Sequence, residues 1–361
     1  MNKTALGKHS RENVLTYLLV IAAYAAMQFM VGNGSLSSSI RGQLVPICAY
    51  AVMAISLNLT VGILGELSLG HAGFMSVGAF SGVVASVALE SVVPFAPLRL
   101  AAAMVVGAVF AGIAGVLVGI PALRLSGDYL AIVTLAFGEI IKNLITCLYI
   151  GIDSGGLHMN FLGSSADLRL GDGGEVIVNG AMGVSGIGKI STFTSGFVLV
   201  LVSLFIVLNL IDSRTGRAVM AVRDNRIAAE SVGIPVTQYK LLAFVISSVL
   251  AGAAGALYAL NYSTISASKF NFNTSILVLV FVVLGGLGKI WGSIVAAVVL
   301  TVLPELLRQF SDYRMLVYAM VLILIMLATN NGTLKSFFAV LKGKIVPLRE
   351  SGSDRRAGGA E

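Results

Sequence analysis

The chain is a succession of apolar runs, most close to 20 residues long, and this pattern limits its fold more than any other feature. A helix crossing a bilayer core needs about 20 predominantly apolar residues. Such runs cover 14–31, 44–64, 71–89, 100–121, 129–150, 194–211, 241–261, 274–288, 290–307 and 315–329. About ten transmembrane helices are therefore expected. Hydrophobic residues fill 57% of the 361 positions and charged residues only 11%, whereas a soluble domain carries about 25% charged residues. A water-soluble fold of this size has nowhere to hide so much apolar surface. The expected class is an all-α, polytopic integral membrane protein set in a lipid bilayer. A soluble enzyme, a disordered chain and a nucleic-acid binder are poor readings, despite the net charge of +7. Cys48 and Cys147 lie in apolar runs, and His9, His71 and His158 are scattered. Neither a disulfide framework nor a metal site is expected.

Two of the breaks between runs are very short. Gly65–Gly70 interrupts one long apolar stretch and Gly285–Lys289 another; each reads as a tight hairpin or a re-entrant element. The first run follows Lys3, Lys8 and Arg11 and so resembles a signal peptide. Its length and the runs behind it favour an uncleaved first helix. With the N-terminus inside, sixteen of the 24 Lys and Arg residues fall on the inner side and eight on the outer. That bias fits an even number of spans with both termini cytoplasmic. The expected organisation is a cytoplasmic N-terminus (1–13), a transmembrane domain (14–331) and a partly disordered cytoplasmic tail (332–361). Within the domain, 151–193 is a polar outer loop and 212–240 a charged inner loop.

The inner loop carries the clearest local signal. Ser213 or Thr215 suits a helix N-cap. Gly233 suits the left-handed residue past the helix end, and Pro235 stops continuation. Ala218, Val222, Ala229 and Val232 form an apolar stripe, and Arg226 and Glu230 form an i,i+4 pair. A short amphipathic helix over 215–233 is expected. Its apolar residues are small, without Trp or Phe to bury in lipid, so docking into a protein groove is favoured over a membrane-surface role.

Polar residues at membrane depth are expensive and so point to function. Asn58, Gly65, Glu66, Ser68, Gly70 and His71 at the first break are candidates for a translocation pathway, with a solvated turn as the plain alternative. Glu139 is another, with a simple pairing to Lys142 as its alternative. Gly127, Asp128 and Tyr129 read as a helix cap, with Asp128 at the N-cap, or as a cytoplasmic gate. Gly107, Ala111, Gly115 and Gly119, and likewise Ser247, Ala251, Gly255 and Ala259, recur every four residues. These are close-packing faces.

Ala228-Ala229-Glu230 followed by Gly233 resembles the coupling loop of ABC importer permeases. Asn58–Phe74, Arg124–Ile140, and Val283–Gly288 with Trp291-Gly292 and Leu303-Pro304-Glu305 are similar to segments of branched-chain amino acid permeases, the LivM-type in particular. The resemblance runs from about Ala51 to Asn331. It implies the translocation subunit of an ATP-driven importer in a bacterial inner membrane. Implied partners are a related permease of the LivH type, two ABC ATPase subunits and an external substrate-binding protein. Arg217, Arg223, Asp224, Arg226, Ala228, Ala229, Glu230 and Gly233 would then be the ATPase-coupling residues. The sequence departs from the family at Glu66, usually a neutral residue, and at 151–178, an insertion before Asn179–Ile187. Some members carry a fused ATPase. Gly183–Lys189 begins like a phosphate-binding loop, but Ile190 stands where the magnesium-binding hydroxyl belongs. No cofactor is expected on this chain, and ATP and magnesium would sit on partner subunits. A cargo of urea, short amides or other amino acids stays open, as does, more remotely, an ion-coupled secondary transporter.

Overall fold

The computed structural model describes residues 3–33, 37–90, 92–125, 127–153, 156–161, 163, 168, 170, 171 and 174–307, with 313, 316, 317, 319, 320, 322 and 323. For residues 3–15 only the backbone is described. The helices are α1 (Lys3–Gly32), α2 (Ser38–Asn58), α3 (His71–Ala88), α4 (Ala96–Ala122), α5 (Asp128–Thr146), α6 (Phe193–Asp212), α7 (Arg214–Asp224), α8 (Arg226–Ser231), α9 (Val236–Ala259), α10 (Phe272–Gly285) and α11 (Ile290–Leu306). Among the described residues, seven helical segments are long and apolar enough to cross a membrane, beginning with Ser38–Ile63 and ending with Ala267–Gly285. Thr16–Gly32 and Ile290–Leu306 are apolar but shorter. The expected last span, 315–329, falls largely outside the described residues.

Local chemistry sets the helix ends. Ser37 accepts from Ile40 N at the start of α2. Thr192 and Ser195 form a reciprocal capping box at α6, and the Asn271 side chain accepts from Thr274 N at α10. Each side chain satisfies an amide that the first helical turn leaves free. The expected run 129–150 ends early, because Tyr149-Ile150-Gly151-Ile152-Asp153 leaves the helix to become a strand.

Four helices make the centre. The spanning window of α2 is 89% buried, against 22% for α5, so α2 is the axis and α5 the periphery. The small-residue faces do the packing. A Cβ built at Gly78 of α3 would lie 2.1 Å from Gly252 O of α9, and one at Gly252 would lie 2.3 Å from Ala111 Cβ of α4. Gly115 meets Ser248 in the same way. Backbones this close gain dispersion contacts that lipid tails cannot supply. On the other flank, Tyr24 of α1 stacks on Phe193 and Phe197 of α6 at centroid distances of 5.2 and 4.0 Å.

The all-α expectation needs correction at the outer loop. Strands β1 (Tyr149–Asp153), β2 (Gly156–Asn160), β3 (Glu175–Asn179), β4 (Val184–Ser185) and β5 (Thr264–Ile265) form an antiparallel sheet in the order β2-β1-β3-β4-β5. It caps the end of the bundle where α5 and α9 finish and α6 begins. The β-branched run Val176-Ile177-Val178 favours strand, and Asp153 holds the turn by accepting from Gly156 N and Gly171 N, each at 3.1 Å. The partial phosphate-loop match falls on β4 and the coil behind it, and the next helix, α6, begins only at Phe193.

Gly78→Val should force apart α3 and α9 and cost about 1–3 kcal/mol or more, whereas Gly42→Ala, with nothing within 4 Å, should be neutral or stabilise by about 0.5–1 kcal/mol. Unfolding of the purified protein in mixed micelles measures both; equal stability of the two variants would refute this packing.

Candidate functional site

The first break is the most heavily constrained part of the bundle. After Asn58 the helix widens into a π-turn over Leu59–Ile63. Leu64 N donates to Leu59 O at 3.0 Å and Glu66 N to Thr60 O at 3.1 Å. Gly65 follows at φ +80, a backbone region that suits glycine. Residues 65–70 then run without regular structure to the start of α3. Non-helical backbone at membrane depth is tolerated only where protein satisfies it. Here Leu69 N donates to Thr134 Oγ1 of α5 at 3.1 Å, and Ala72 N to Ser275 Oγ of α10 at 3.0 Å. Gly70 and Gly73 meet Gly138 of α5 backbone to backbone. The break is therefore an extended segment wedged among helices.

The second break is a tight hairpin. Asn58 Oδ1 accepts from Gly288 N at 2.9 Å, and Asn58 Nδ2 donates to Ser293 Oγ at 2.8 Å. One buried side chain thus clamps the tip between α10 and α11. Gly285 and Gly292 cross there with no room for a Cβ.

The structure divides the candidate pathway residues into groups. Asn58 and His71 are buried in the bundle. His71 Nε2 lies 2.7 Å from Ser56 Oγ, Ser247 Oγ donates to Ser56 O at 2.6 Å, and Thr60 Oγ1 is 2.9 Å from Ser247 Oγ. Ser68 is buried without a hydrogen-bond partner. Glu66 is ion-paired with Lys240 in the first turns of α9, and both side chains are largely buried. The helical path of α2 continues through the π-turn to Ile63, which brings Glu66 beside the start of α9. Glu139 pairs with Lys142 and also accepts from Phe272 N at 3.2 Å. That ties α5 to the start of α10. Gly127, at φ +64, takes the N-cap position expected of Asp128, which becomes the first helical residue. Asp128 and Tyr129 are exposed.

The inner loop differs from the single helix expected over 215–233. Asn225 takes extended backbone, φ −157 and ψ 104, and its side chain accepts from Ala228 N. It ends α7 and caps α8. Ser213 caps α7, and Gly233 has the expected positive φ of 83. Arg226 and Glu230 pair at 3.1 Å. Ala229 is buried against Val222 and Val236, so its small size serves packing of α8 within the chain. Ala228 is exposed, as are Ile227 and Val232 at 80% and 75%. Arg217 donates to Asp212 O at 2.8 Å. Arg223 turns inward, donating to Gly62 O at 3.1 Å and to Asp224 Oδ1.

Sequence reading passed over Lys240, Ser56, Thr134, Ser275 and Ser293. Lys240 was counted as a loop charge, yet the apolar run Leu241-Leu242-Ala243-Phe244 follows at once. The hydroxyl residues carry no periodic signal of their own in apolar helices.

Among the described residues, seven helical segments long and apolar enough to cross a membrane, with buried polar breaks, define a polytopic membrane protein. The family model described as branched-chain amino acid transport system, permease component, matches residues 39–327. The chain is 35% identical over 332 residues to the high-affinity branched-chain amino acid transport system permease protein LivM of Salmonella typhimurium, covering 89% of this chain and 74% of that protein. It is 34% identical, with the same coverage, to LivM of Escherichia coli. A probable LivM of Methanocaldococcus jannaschii is 24% identical over 301 residues, 74% of this chain and 81% of that one. No solved structure gives a significant match. The chain belongs to the family of branched-chain amino acid transport permease components.

Breaking the Glu66–Lys240 pair from one side leaves a buried charge. Glu66→Gln should lower stability by about 3–5 kcal/mol, and adding Lys240→Met should recover most of that loss. A double-mutant cycle by micelle unfolding measures the coupling; strictly additive effects would mean the pair contributes nothing.

Proposed function

We propose that the chain is the membrane-spanning subunit of an ATP-driven importer, and that it forms half of a pathway for branched-chain amino acids. The observation that carries this reading is the family match across 39–327, which covers the helical bundle from α2 onward. A related permease would supply the other half, two ATPase subunits would bind ATP and magnesium, and an external binding protein would deliver the cargo. The chain would lie in the inner membrane with both termini cytoplasmic. The test is reconstitution of all five chains in proteoliposomes. ATP-dependent uptake of leucine, isoleucine and valine is expected. Uptake driven by an ion gradient without ATP would overturn the class, and uptake of only urea or short amides would overturn the cargo.

The docking surface on this reading is the exposed side of α8. Ile227 and Val232 stand free of the bundle, and apolar side chains isolated at the tip of a polar loop suit a partner's pocket. Arg217, Arg226 and Glu230 would form the polar rim, with Asp224, Ala228 and Gly233 beside them. Ile227→Asp should weaken association with the ATPase subunit by about tenfold or more, the effect of losing one buried aliphatic side chain. Co-purification and a binding titration measure it; unchanged affinity would argue for a membrane-surface role.

The sheet at the other end would face the binding protein. A cysteine at Ser185, exposed on β4, should react with an impermeant thiol reagent in intact cells. Labelling only after permeabilisation would reverse the orientation.

A further inference from the structure

We propose that Arg223 is a positioning residue for transport: it carries movement of α7 and α8 into the discontinuous α2–α3 segment and makes no docking contact itself. The inference rests on the coupling-loop reading above. The geometry is specific. Nε and Nη2 of Arg223 both donate to Asp224 Oδ1, at 3.1 and 3.0 Å. This holds the guanidinium plane and aims Nη1 at Gly62 O, 3.1 Å away. The π-turn diverts the amides beyond Gly62 to earlier carbonyls, since Leu64 N bonds Leu59 O and Glu66 N bonds Thr60 O. Arg223 takes up the carbonyl so released. Its methylene groups lie over Gly65, where a Cβ would stand 2.6 Å from Arg223 Cγ.

The same turn is gripped from its other side. A Cβ at Gly62 would stand 2.3 Å from Gly288 N, at the tip of the α10–α11 hairpin that Asn58 clamps. One backbone turn is thus touched by α7 and by the hairpin together. The base of Arg223 is also fixed. Its neighbour Val222 packs with Ala229 of α8 and Val236 of α9, so a push on α8 is felt at α7. A lysine preserves the charge but lacks the fork that holds one acceptor while donating to another.

The test uses the full importer in proteoliposomes, with Arg223→Lys, Arg223→Ala, Asp224→Asn and Ile227→Asp compared. The measurements are ATPase-subunit association, ATP hydrolysis stimulated by the binding protein, and leucine taken up per ATP. Arg223→Lys and Arg223→Ala should assemble at wild-type stoichiometry and deliver about tenfold less leucine per ATP, as expected for loss of one oriented charge-assisted hydrogen bond. Asp224→Asn should move the ratio the same way by less. An unchanged ratio in both Arg223 variants overturns the proposal. Loss of ATPase association in them overturns it as well and makes Arg223 a docking residue. Should Arg223→Ala fail to accumulate, Arg223→Lys and Asp224→Asn decide by the same ratio. If Ile227→Asp leaves association and uptake intact, the coupling-loop reading fails, and the proposal falls with it.

Discussion

The structure depends on one constraint: backbone that leaves the helix inside a bilayer must find its hydrogen bonds within the protein. The segment from Gly62 to Ala72 meets it with side chains drawn from across the chain. Thr134 and Ser275 accept from Leu69 N and Ala72 N, and Arg223 donates to Gly62 O. Those partners lie on α5, α10 and α7, so the break dictates where three distant elements must sit. Asn58 extends the same logic to the α10–α11 hairpin. Apolar burial cannot distinguish one helix arrangement from another when the solvent is itself apolar. Directional bonds and shape have to do so.

Shape enters through glycine. At Gly78, Gly107 and Gly252 the helices of the centre approach until backbone meets backbone. These contacts need no polar group, which explains why the network around Ser56, Thr60, Ser247 and His71 can be confined to one level of the bundle. The central helices are close-packed, and α5 is mostly exposed with its Glu139–Lys142 pair only partly covered. A charged pair on a span so little covered favours a face turned toward protein or water over one turned toward lipid.

Much of this was legible in the sequence because period and length are strong signals in a membrane chain. Among the described residues, seven helical segments of bilayer length appear at the expected apolar runs, while 14–31 and 290–307 give shorter helices, and the small-residue stripes on α4 and α9 pack as their spacing implied. Gly233 takes the positive φ that its place before Pro235 suggested. What stayed hidden depended on partners remote in sequence. Glu66 and Lys240 are 174 positions apart, and neither announces the other. Asn225 ends α7 through a cap that competes with the apolar stripe running past it, so one helix became two. The outer sheet was missed because its strands are short, separated by glycine-rich stretches, and completed by Thr264-Ile265 from beyond α9.

On the proposed reading, the split between α7 and α8 has a mechanical consequence. A single long helix would transmit a push along its axis toward α9 alone. Two short helices joined at Asn225 present α8 outward while α7 stays bonded inward through Arg223. Val222, Ala229 and Val236 lock the two together from the side, so displacement of α8 tilts α7 about that apolar contact. The nearest structure able to respond is the π-turn, whose widened bonding already departs from the helical ladder and so costs less to rearrange than an unbroken helix. Below it the Glu66–Lys240 pair ties the break to α9, and beside it Gly288 ties the break to α11. Movement entering at α8 is thereby shared among α2, α3, α9 and the α10–α11 hairpin, and the break becomes the place where a surface event is converted into a change of the bundle.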